Sequence, residues 1–359
     1  MRIIRACKEM GISTVAVYST ADEEALHVSL ADQNICIGGP TAQESYLHQE
    51  RIVTAALATG AQAVHPGYGF LAENADFAAL CQKHGLAFVG PRPEVISQMG
   101  DKAQARELVK QAGVPVSSDS GFTDTKAAVK HVEVQILADE HGNAVALGER
   151  ECSIRHKGQK LVEEAPSPAL TTELRTALCE AAVRAAKAAG YTNAGTALFL
   201  LEGENFYFTE MCTRLQTEHP VTEMATGIDI VKWQIRIADG IPLDVTQADI
   251  QAGGASIECR IHAASAGEIG FFHVPGGPQV RFDTALYQGY VVPPYYDSLL
   301  GKLIVHAKTR EEALRKMQAA LSELVIDGIK CNIEEQIITI DSPAFRSGNY
   351  LPTSRQVTS

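Results

Sequence analysis

The stretch Phe206–Pro220 reads Phe-Tyr-Phe-Thr-Glu-Met-Cys-Thr-Arg-Leu-Gln-Thr-Glu-His-Pro and concentrates residue types that can do chemistry. Its opening is aromatic and β-branched. Gly203-Glu204-Asn205 just before it has the composition of a hairpin turn, so the stretch is expected to begin as a strand. Extended chain sends alternate side chains to one face. Glu210, Cys212, Arg214, Gln216 and Glu218 then share one parity, and Met211, Leu215 and Thr217 share the other. That face would carry two carboxylates, a guanidinium, an amide and a thiol along about 30 Å of chain. A solvated strand edge is the plainer alternative, but such an edge does not usually follow an aromatic hairpin and end in His219-Pro220. The residues point to an anion site, or to chemistry on a carboxylate.

Composition bounds what can surround this stretch. The chain of 359 residues suffices for two or three packed domains. Its apolar share of 45% and charged share of 21% are those of an ordinary globular protein. The net charge of −12 argues against nucleic acid or an anionic membrane as main partner, while leaving room for local basic pockets. The eight cysteines, Cys7, Cys36, Cys81, Cys152, Cys179, Cys212, Cys259 and Cys331, contain no Cys-x-x-Cys pair. That scatter suits reduced thiols rather than a disulfide framework or a zinc site. No apolar run approaches membrane-spanning length. The basic, amphipathic start reads as a folded helix stopped by Gly11, not as a targeting peptide.

The elements that must position the stretch follow from periodicity and punctuation. Residues 1–93 alternate helix and strand with glycine stops, which predicts a parallel sheet covered by helices. The expected helices are Arg2–Met10, a polar one around Ala21–Leu30, Gln49–Thr59 and Asn74–His84. A helix at residue 2 opens the domain where a parallel α/β fold would normally open with a strand, so a first strand is expected to be absent. Helices over Glu94–Met99 and Ala103–Ala112 follow, then a polar loop from Ser117. His131–Ile136 and Ala144–Gly148 read as strands, and Glu149–Lys160 as a charge-dense segment. Thr172–Ala189 reads as a helix with Thr171 as its N-cap. A hairpin spans Thr196–Met211, and Asp229–Ala238 is expected to be helical. Ala255–Ile261 should be a strand with Glu258 and Arg260 on one face, and Glu311–Leu324 a helix with an apolar stripe.

Seven motifs in order, His65–Asn74, Met99-Gly-Asp-Lys102, His131–Gln135, Val162–Pro166, Glu210–Pro220, Glu258–Ile261 and Pro293–Ser298 with Gly301–Ile304, closely resemble the biotin carboxylases of biotin-dependent acyl-CoA carboxylases. The resemblance spans nearly the whole chain. It implies an α/β protein with a parallel-sheet N-terminal (pre-ATP-grasp) domain, an ATP-grasp-like α+β core and an α+β C-terminal biotin carboxylase domain. The corresponding boundaries are 1–113, a linker at 114–130, 131–250, 251–350 and a tail at 351–359. It further implies ATP, Mg²⁺ and bicarbonate as cofactors, with biotin as carrier-bound substrate. A biotin carboxyl carrier protein and a carboxyltransferase would be partners, as in acetyl-CoA carboxylase of fatty acid biosynthesis, and the chain would form a homodimer. A bacterial cytoplasmic location is expected, with a mitochondrial one left open.

The same resemblance distributes roles. Arg214 and Gln216 correspond to residues that hold bicarbonate, Glu218 to the base that deprotonates it, and Lys160 to a bicarbonate-side lysine. A guanidinium fork and an amide suit a small planar oxyanion, and an adjacent carboxylate can take its proton. Arg281 corresponds to the arginine stabilising the biotin enolate and carboxyphosphate. Tyr68, Gly69, Glu73 and Thr217 would line the biotin and bicarbonate approach. Lys102, His131 and Glu133 lie where the family touches nucleotide, and Glu210 matches a metal ligand.

The departures cluster at the ATP end. Leu198 stands where Glu210 should have a carboxylate partner across the hairpin, and Cys212 where an asparagine is expected; Mg²⁺ wants hard oxygen ligands and neither supplies one. Ile154–Gly158 replaces nucleotide-holding residues. Between Asp119 and His131 a short linker stands in place of the ATP lid, and no glycine-rich phosphate cradle occurs elsewhere. Another loop is shortened between Ala263 and Gly267. Two readings follow: a biotin carboxylase with little or no ATP-driven turnover as the chain stands, or a lidless homologue acting as a non-catalytic binding or assembly module.

Overall fold

A computed structural model describes residues 1–117, 129–156 and 158–350. Most of the expected 120–130 linker and the 351–359 tail therefore lie outside the described residues, as does Lys157. The N-terminal part runs α1 (Arg2–Glu9), β1 (Val15–Ser19), α2 (Leu26–Leu30), β2 (Gln33–Gly38), α3 (Gln49–Ala58), β3 (Ala63–Val64), α4 (Ala75–Lys83), β4 (Ala87–Phe88), α5 (Pro93–Gly100) and α6 (Lys102–Gln111). Its strands are parallel, as the alternation predicts, but they pair as β1–β2 and β3–β4. The polar helix expected over 21–30 is instead a 3₁₀ turn at Thr20–Asp22 followed by the short α2. Opening the chain, α1 puts Ala6 into a cluster with Val231, Trp233 and Ile237.

The central part comprises β5 (Val129–Ala138), β6 (Ala144–His156), β7 (Gln159–Ala165), α7 (Thr172–Ala188), β8 (Asn193–Glu202), β9 (Asn205–Cys212), α8 (His219–Thr226) and α9 (Ile230–Ala238). The remainder comprises β10 (Ala255–His262), β11 (Gly267–Glu268), β12 (Phe271–His273), β13 (Val280–Thr284), β14 (Val291–Val292), β15 (Leu299–Ala307), α10 (Arg310–Glu323), β16 (Val325–Asp327), α11 (Ile333–Asp341) and α12 (Pro343–Ser347). Eight strands from both parts form one antiparallel sheet in the order β13-β15-β10-β7-β6-β5-β8-β9. The β7–β10 pairing carries this sheet across the boundary expected at residue 250.

In the charge-dense segment 149–160, residues 149–156 belong to β6 and 159–160 to β7, and Glu149, Arg150 and Glu151 are buried. Their partners include residues of other strands and helices, such as Gln135, Thr196, Thr222 and Arg175, which local composition does not identify. Along β5, Val132, Val134 and Ile136 join the core under α7, while Glu133 and Gln135 take the opposite parity. Thr171 caps α7 through its hydroxyl, which accepts from Leu174 N at 3.2 Å, and Leu178, Ala182 and Ala185 form the buried stripe. Residue 227 ends α8 with φ +74, a left-handed conformation that glycine adopts without steric cost.

Candidate functional site

Two rows of side chains run across the sheet opposite α7. Cross-strand register aligns Glu210 on β9 with Leu198 on β8, Leu198 with Glu133 on β5, and Glu133 with Arg150 on β6. Two residues along, Cys212 faces Thr196, which faces Gln135. Leu198 is therefore the one apolar member of a charged row, flanked by a carboxylate on either side. Glu210 pairs with Lys102 at the start of α6, at 2.7 Å. Burial pushes the Cys212 thiol up to about 12, so it is a neutral thiol at physiological pH.

The expectation of one extended face holds only to Cys212. There the chain leaves the sheet, and Glu218 becomes the residue preceding α8, whose first turn contains Pro220. Arg214, Gln216 and Glu218 consequently turn to three different sets of partners. Arg214 Nε donates to Glu73 Oε2 at 2.8 Å, and the other Glu73 oxygen accepts from Thr213 N at 2.9 Å. Glu73 thus ties the loop between β3 and α4 to the loop after β9. Gln216 Oε1 accepts from Arg150, while its Nε2 donates only a long contact to Cys212 Sγ at 3.6 Å.

Glu218 sits at the centre. The Lys160 ammonium bridges one of its oxygens to Glu133, and Arg260 Nη2 donates to the other at 2.9 Å. Arg260 also pairs with Glu163 through Nε at 2.6 Å. Burial pushes the Glu218 carboxyl up, but Lys160, Arg260 and Arg150 together hold it well below the usual carboxylate range. Burial likewise opposes the charge on Lys160, and Glu133 and Glu218 raise it above the usual lysine range. With both oxygens engaged, Glu218 is a weak base. Ligand atoms of Glu133, Cys152 and Glu218 lie within 4.8 Å of one another, but the Lys160 ammonium already binds both carboxylates, and burial raises the Cys152 thiol. That group is a lysine pocket, not a metal site.

A second layer lies toward β13 and β15. Arg281 is held by Asp283 at 2.9 and 2.6 Å and by Glu223 at 2.8 Å, and Arg2 of α1 reaches the same Glu223 at 2.9 Å. Lys302 donates to the Thr217 carbonyl at 2.5 Å and lies 6.0 Å from the Tyr68 ring centre. Glu258 is fully buried and neither of its oxygens has a partner. Tyr68 and Gly69 lie on the loop between β3 and α4, where His65 accepts from Gly67 N at 3.1 Å. His131 opens β5 with its backbone N–H on Ser153 Oγ at 3.0 Å.

The fold thus brings Lys160, Gln216, Glu218 and Glu133 into one pocket. Arg214, Glu73 and Thr213 form a hydrogen-bonded set of their own, and Thr217, Arg281 and Tyr68 lie around Lys302. Lys102 and Glu210 pair with each other at the β9 end of the row. Sequence reasoning did not single out Arg150, Glu163 or Lys302, nor give a role to Arg260. The signal was there: charged residues at alternate positions of apolar strands, as in Ile257-Glu258-Cys259-Arg260-Ile261.

Residues 1–96 match the family model of the biotin carboxylase N-terminal domain, 102–246 that of the carbamoyl-phosphate synthase L chain ATP-binding domain, and 258–354 that of the biotin carboxylase C-terminal domain. Biotin carboxylase 1 of Bacillus subtilis is 44% identical over 423 residues, covering 98% of this chain and 94% of that protein. The alignment is longer than the 359-residue chain, so the relative carries residues without counterpart here. The Haemophilus influenzae biotin carboxylase is 44% identical over 419 residues, covering 97% and 94%. Among solved structures, the biotin carboxylase domain of a thermophilic 2-oxoglutarate carboxylase bound to bicarbonate superposes with TM-score 0.93 at 42% identity, covering 98% of this chain and 94% of that one. A Campylobacter jejuni biotin carboxylase in a β,γ-ATP complex gives 0.93 at 38%, with the same coverage.

Proposed function

The chain belongs to the biotin carboxylase family, and from that premise we propose that it binds bicarbonate and carrier-linked biotin, with little or no ATP-driven turnover of its own. The observation that carries this reading is the register Glu133–Leu198–Glu210. An isobutyl group stands between the two carboxylates, and Lys102 takes Glu210. A Mg²⁺ ion demands near-octahedral oxygen coordination. Leu198 offers no oxygen, and the neutral Cys212 thiol is a poor donor to a hard cation. The residues present do not fit the metal.

The bicarbonate end has a full set of groups. The N–H donors of Gln216 and the guanidinium of Arg214 would hold the anion, and Lys160 would turn from Glu133 and Glu218 toward its charge. That turn frees a Glu218 oxygen to receive the bicarbonate proton, while Arg260 keeps the carboxylate oriented. Arg281 and Tyr68 would face the ureido ring of biotin. On this reading a biotin carboxyl carrier protein and a carboxyltransferase are the partners, in a cytoplasmic acyl-CoA carboxylase. A solved structure of a Hydrogenobacter thermophilus 2-oxoglutarate carboxylase carries the biotin carboxylase domain as a dimer with MgADP, ADP and bicarbonate, which supports a homodimer and an anion ligand here. Among the described residues no helix is long and apolar enough to cross a membrane. The loss of metal ligands also favours the second reading, a non-catalytic binding or assembly module that keeps the bicarbonate and biotin face.

Phosphate release from MgATP with bicarbonate, measured with and without free biotin, tests the proposal. The expected result is no biotin-stimulated release, together with a rise in melting temperature on adding bicarbonate that Arg214→Ala removes. Robust biotin-stimulated turnover, abolished by the same substitution, would overturn the weak-turnover reading. Absence of any bicarbonate effect would overturn the binding reading.

A further inference from the structure

Arg150 is the largest fully buried side chain of the described residues. It projects from β6 among elements that all belong to the bicarbonate end. Nη1 donates to Gln135 Oε1 at 2.7 Å and to Thr222 Oγ1 at 3.0 Å. Nη2 donates to Thr196 Oγ1 at 3.0 Å and to Gln216 Oε1 at 2.5 Å, and Nε has no partner. All four acceptors are neutral. None of the ion pairs found within 4.0 Å among the described residues includes Arg150. An arginine is rarely buried without a carboxylate beside it, because its desolvation is then offset by dipoles alone. The carboxylate closest in effect, Glu218, already has Lys160 on one oxygen and Arg260 on the other. Lys160 and Arg260 are two cations shared among three carboxylates, Glu133, Glu163 and Glu218, so the charge of Arg150 completes the balance of the cluster while its hydrogen bonds go to neutral groups.

A guanidinium has donors only, so every group it touches must present an acceptor. For Gln216 this removes the two-fold ambiguity of a side-chain amide: Oε1 must face Arg150, and the NH₂ must face the other way, toward Cys212 and the space beside Arg214. Gln135 is fixed in the same manner, and its Nε2 donates to the carbonyls of Gly195 at 3.0 Å and Ile136 at 3.2 Å. Among the described residues, a weak contact to sulfur at 3.6 Å is all that the Gln216 NH₂ makes. We propose that Arg150 is a positioning residue, which locks the Gln216 amide with its N–H donors toward the bound anion. The inference rests on the bicarbonate-binding reading above.

Calorimetric titration of sodium bicarbonate into the whole chain tests it, using wild type, Arg150→Met, Arg150→Lys, Gln216→Ala and the Arg150→Met/Gln216→Ala double variant. The expected result is a loss of affinity of about tenfold or more for Arg150→Met, since hydrogen bonds to charged groups are the strong ones. Arg150→Lys keeps the charge but not the fork, so a loss of a few-fold is expected. In the Gln216→Ala background Arg150→Met should cost much less than in wild type, because the two act through one contact. A purely structural role would lower the melting temperature of Arg150→Met and leave bicarbonate affinity unchanged, which would overturn the proposal. Equal losses with and without Gln216 would overturn it as well. If Arg150→Met does not fold, Arg150→Lys alone decides, and wild-type affinity in that variant overturns the assignment. Failure of wild type to bind bicarbonate overturns the functional reading and this inference together, whereas binding that Arg214→Ala abolishes and Arg150→Met leaves intact overturns this inference alone.

Discussion

Lys160 holds together two carboxylates that could not both stay ionised in one dry pocket without it. Removing one member of a buried charge group leaves the others uncompensated and costs about 3–5 kcal/mol. Lys160→Met should therefore lower the unfolding free energy by roughly that amount in urea titration, and adding Glu133→Gln should restore part of it. A loss under about 1 kcal/mol, the scale of an exposed pair, would mean that the ammonium is not the counter-charge. At the other end of the row, Leu198→Glu with Cys212→Asn would set a third carboxylate between Glu133 and Glu210 and an amide beside them. Mg²⁺-dependent stabilisation by nucleotide should then appear in a thermal-shift assay. No change would place the limitation elsewhere than in the ligands.

At the scale of the element, β10 divides its residues by parity. Ile257, Cys259 and Ile261 enter the core under α10, while Glu258 and Arg260 take the opposite parity. Around Glu258 lie Lys302 of β15, Glu163 of β7, Arg260 of its own strand and Glu218 at the start of α8. Burial is the chief cause that pushes its carboxyl up to about 8, with Glu163 and Glu218 adding to the rise and Lys302 and Arg260 opposing it. The native state then keeps a proton that the unfolded chain releases near the ordinary glutamate range. Between roughly pH 4.5 and 8 the native state binds more protons, so stability falls as pH rises through that window, and it levels off above. Glu258→Gln should remove this slope, amounting to a few kcal/mol across the window. Denaturant titrations at several pH values check it, and parallel curves for variant and wild type would sink the assignment. Glu218 works in the opposite sense: its depressed carboxyl contributes stability at neutral pH that is lost on acidification.

At the scale of the whole molecule, the eight-stranded sheet makes the central and C-terminal parts one folding unit. The connection from α9 to β10 is mostly exposed over residues 240–254, yet β7 and β10 remain paired on either side of it. Proteolysis within 240–254 should leave two fragments that co-elute on size exclusion without denaturant. Their separation would show that the two parts are held only by the connection. The N-terminal part joins through Arg2 on Glu223, Glu73 on Arg214 and Lys102 on Glu210. Each of these contacts lands on or beside the site.

Much of this was legible in residue order. The helix cap at Thr171, the hairpin turn at Gly203 and the alternation in β5 and β10 follow from local chemistry, because caps, turns and strand faces depend on residues only a few positions apart. The family resemblance set Leu198 across the hairpin from Glu210; the turn alone would face it with Thr209, and a bulge at Leu198/Phe199 brings Glu210 into line. What lay beyond reach was the partner of each charge. An extended reading carried Glu210 through Glu218 along one face, yet the strand ends at Cys212, and the later residues answer to groups 40 to 140 positions away: Arg260, Lys160, Arg150 and Glu73. Sequence determined the family and singled out Arg214, Gln216 and Glu218 as candidates, with Leu198 as the apolar member beside Glu210. Only tertiary structure decided that Lys160 bridges two glutamates and that Arg150 lies buried against Gln216, because burial and long-range strand pairing set which charges must find each other.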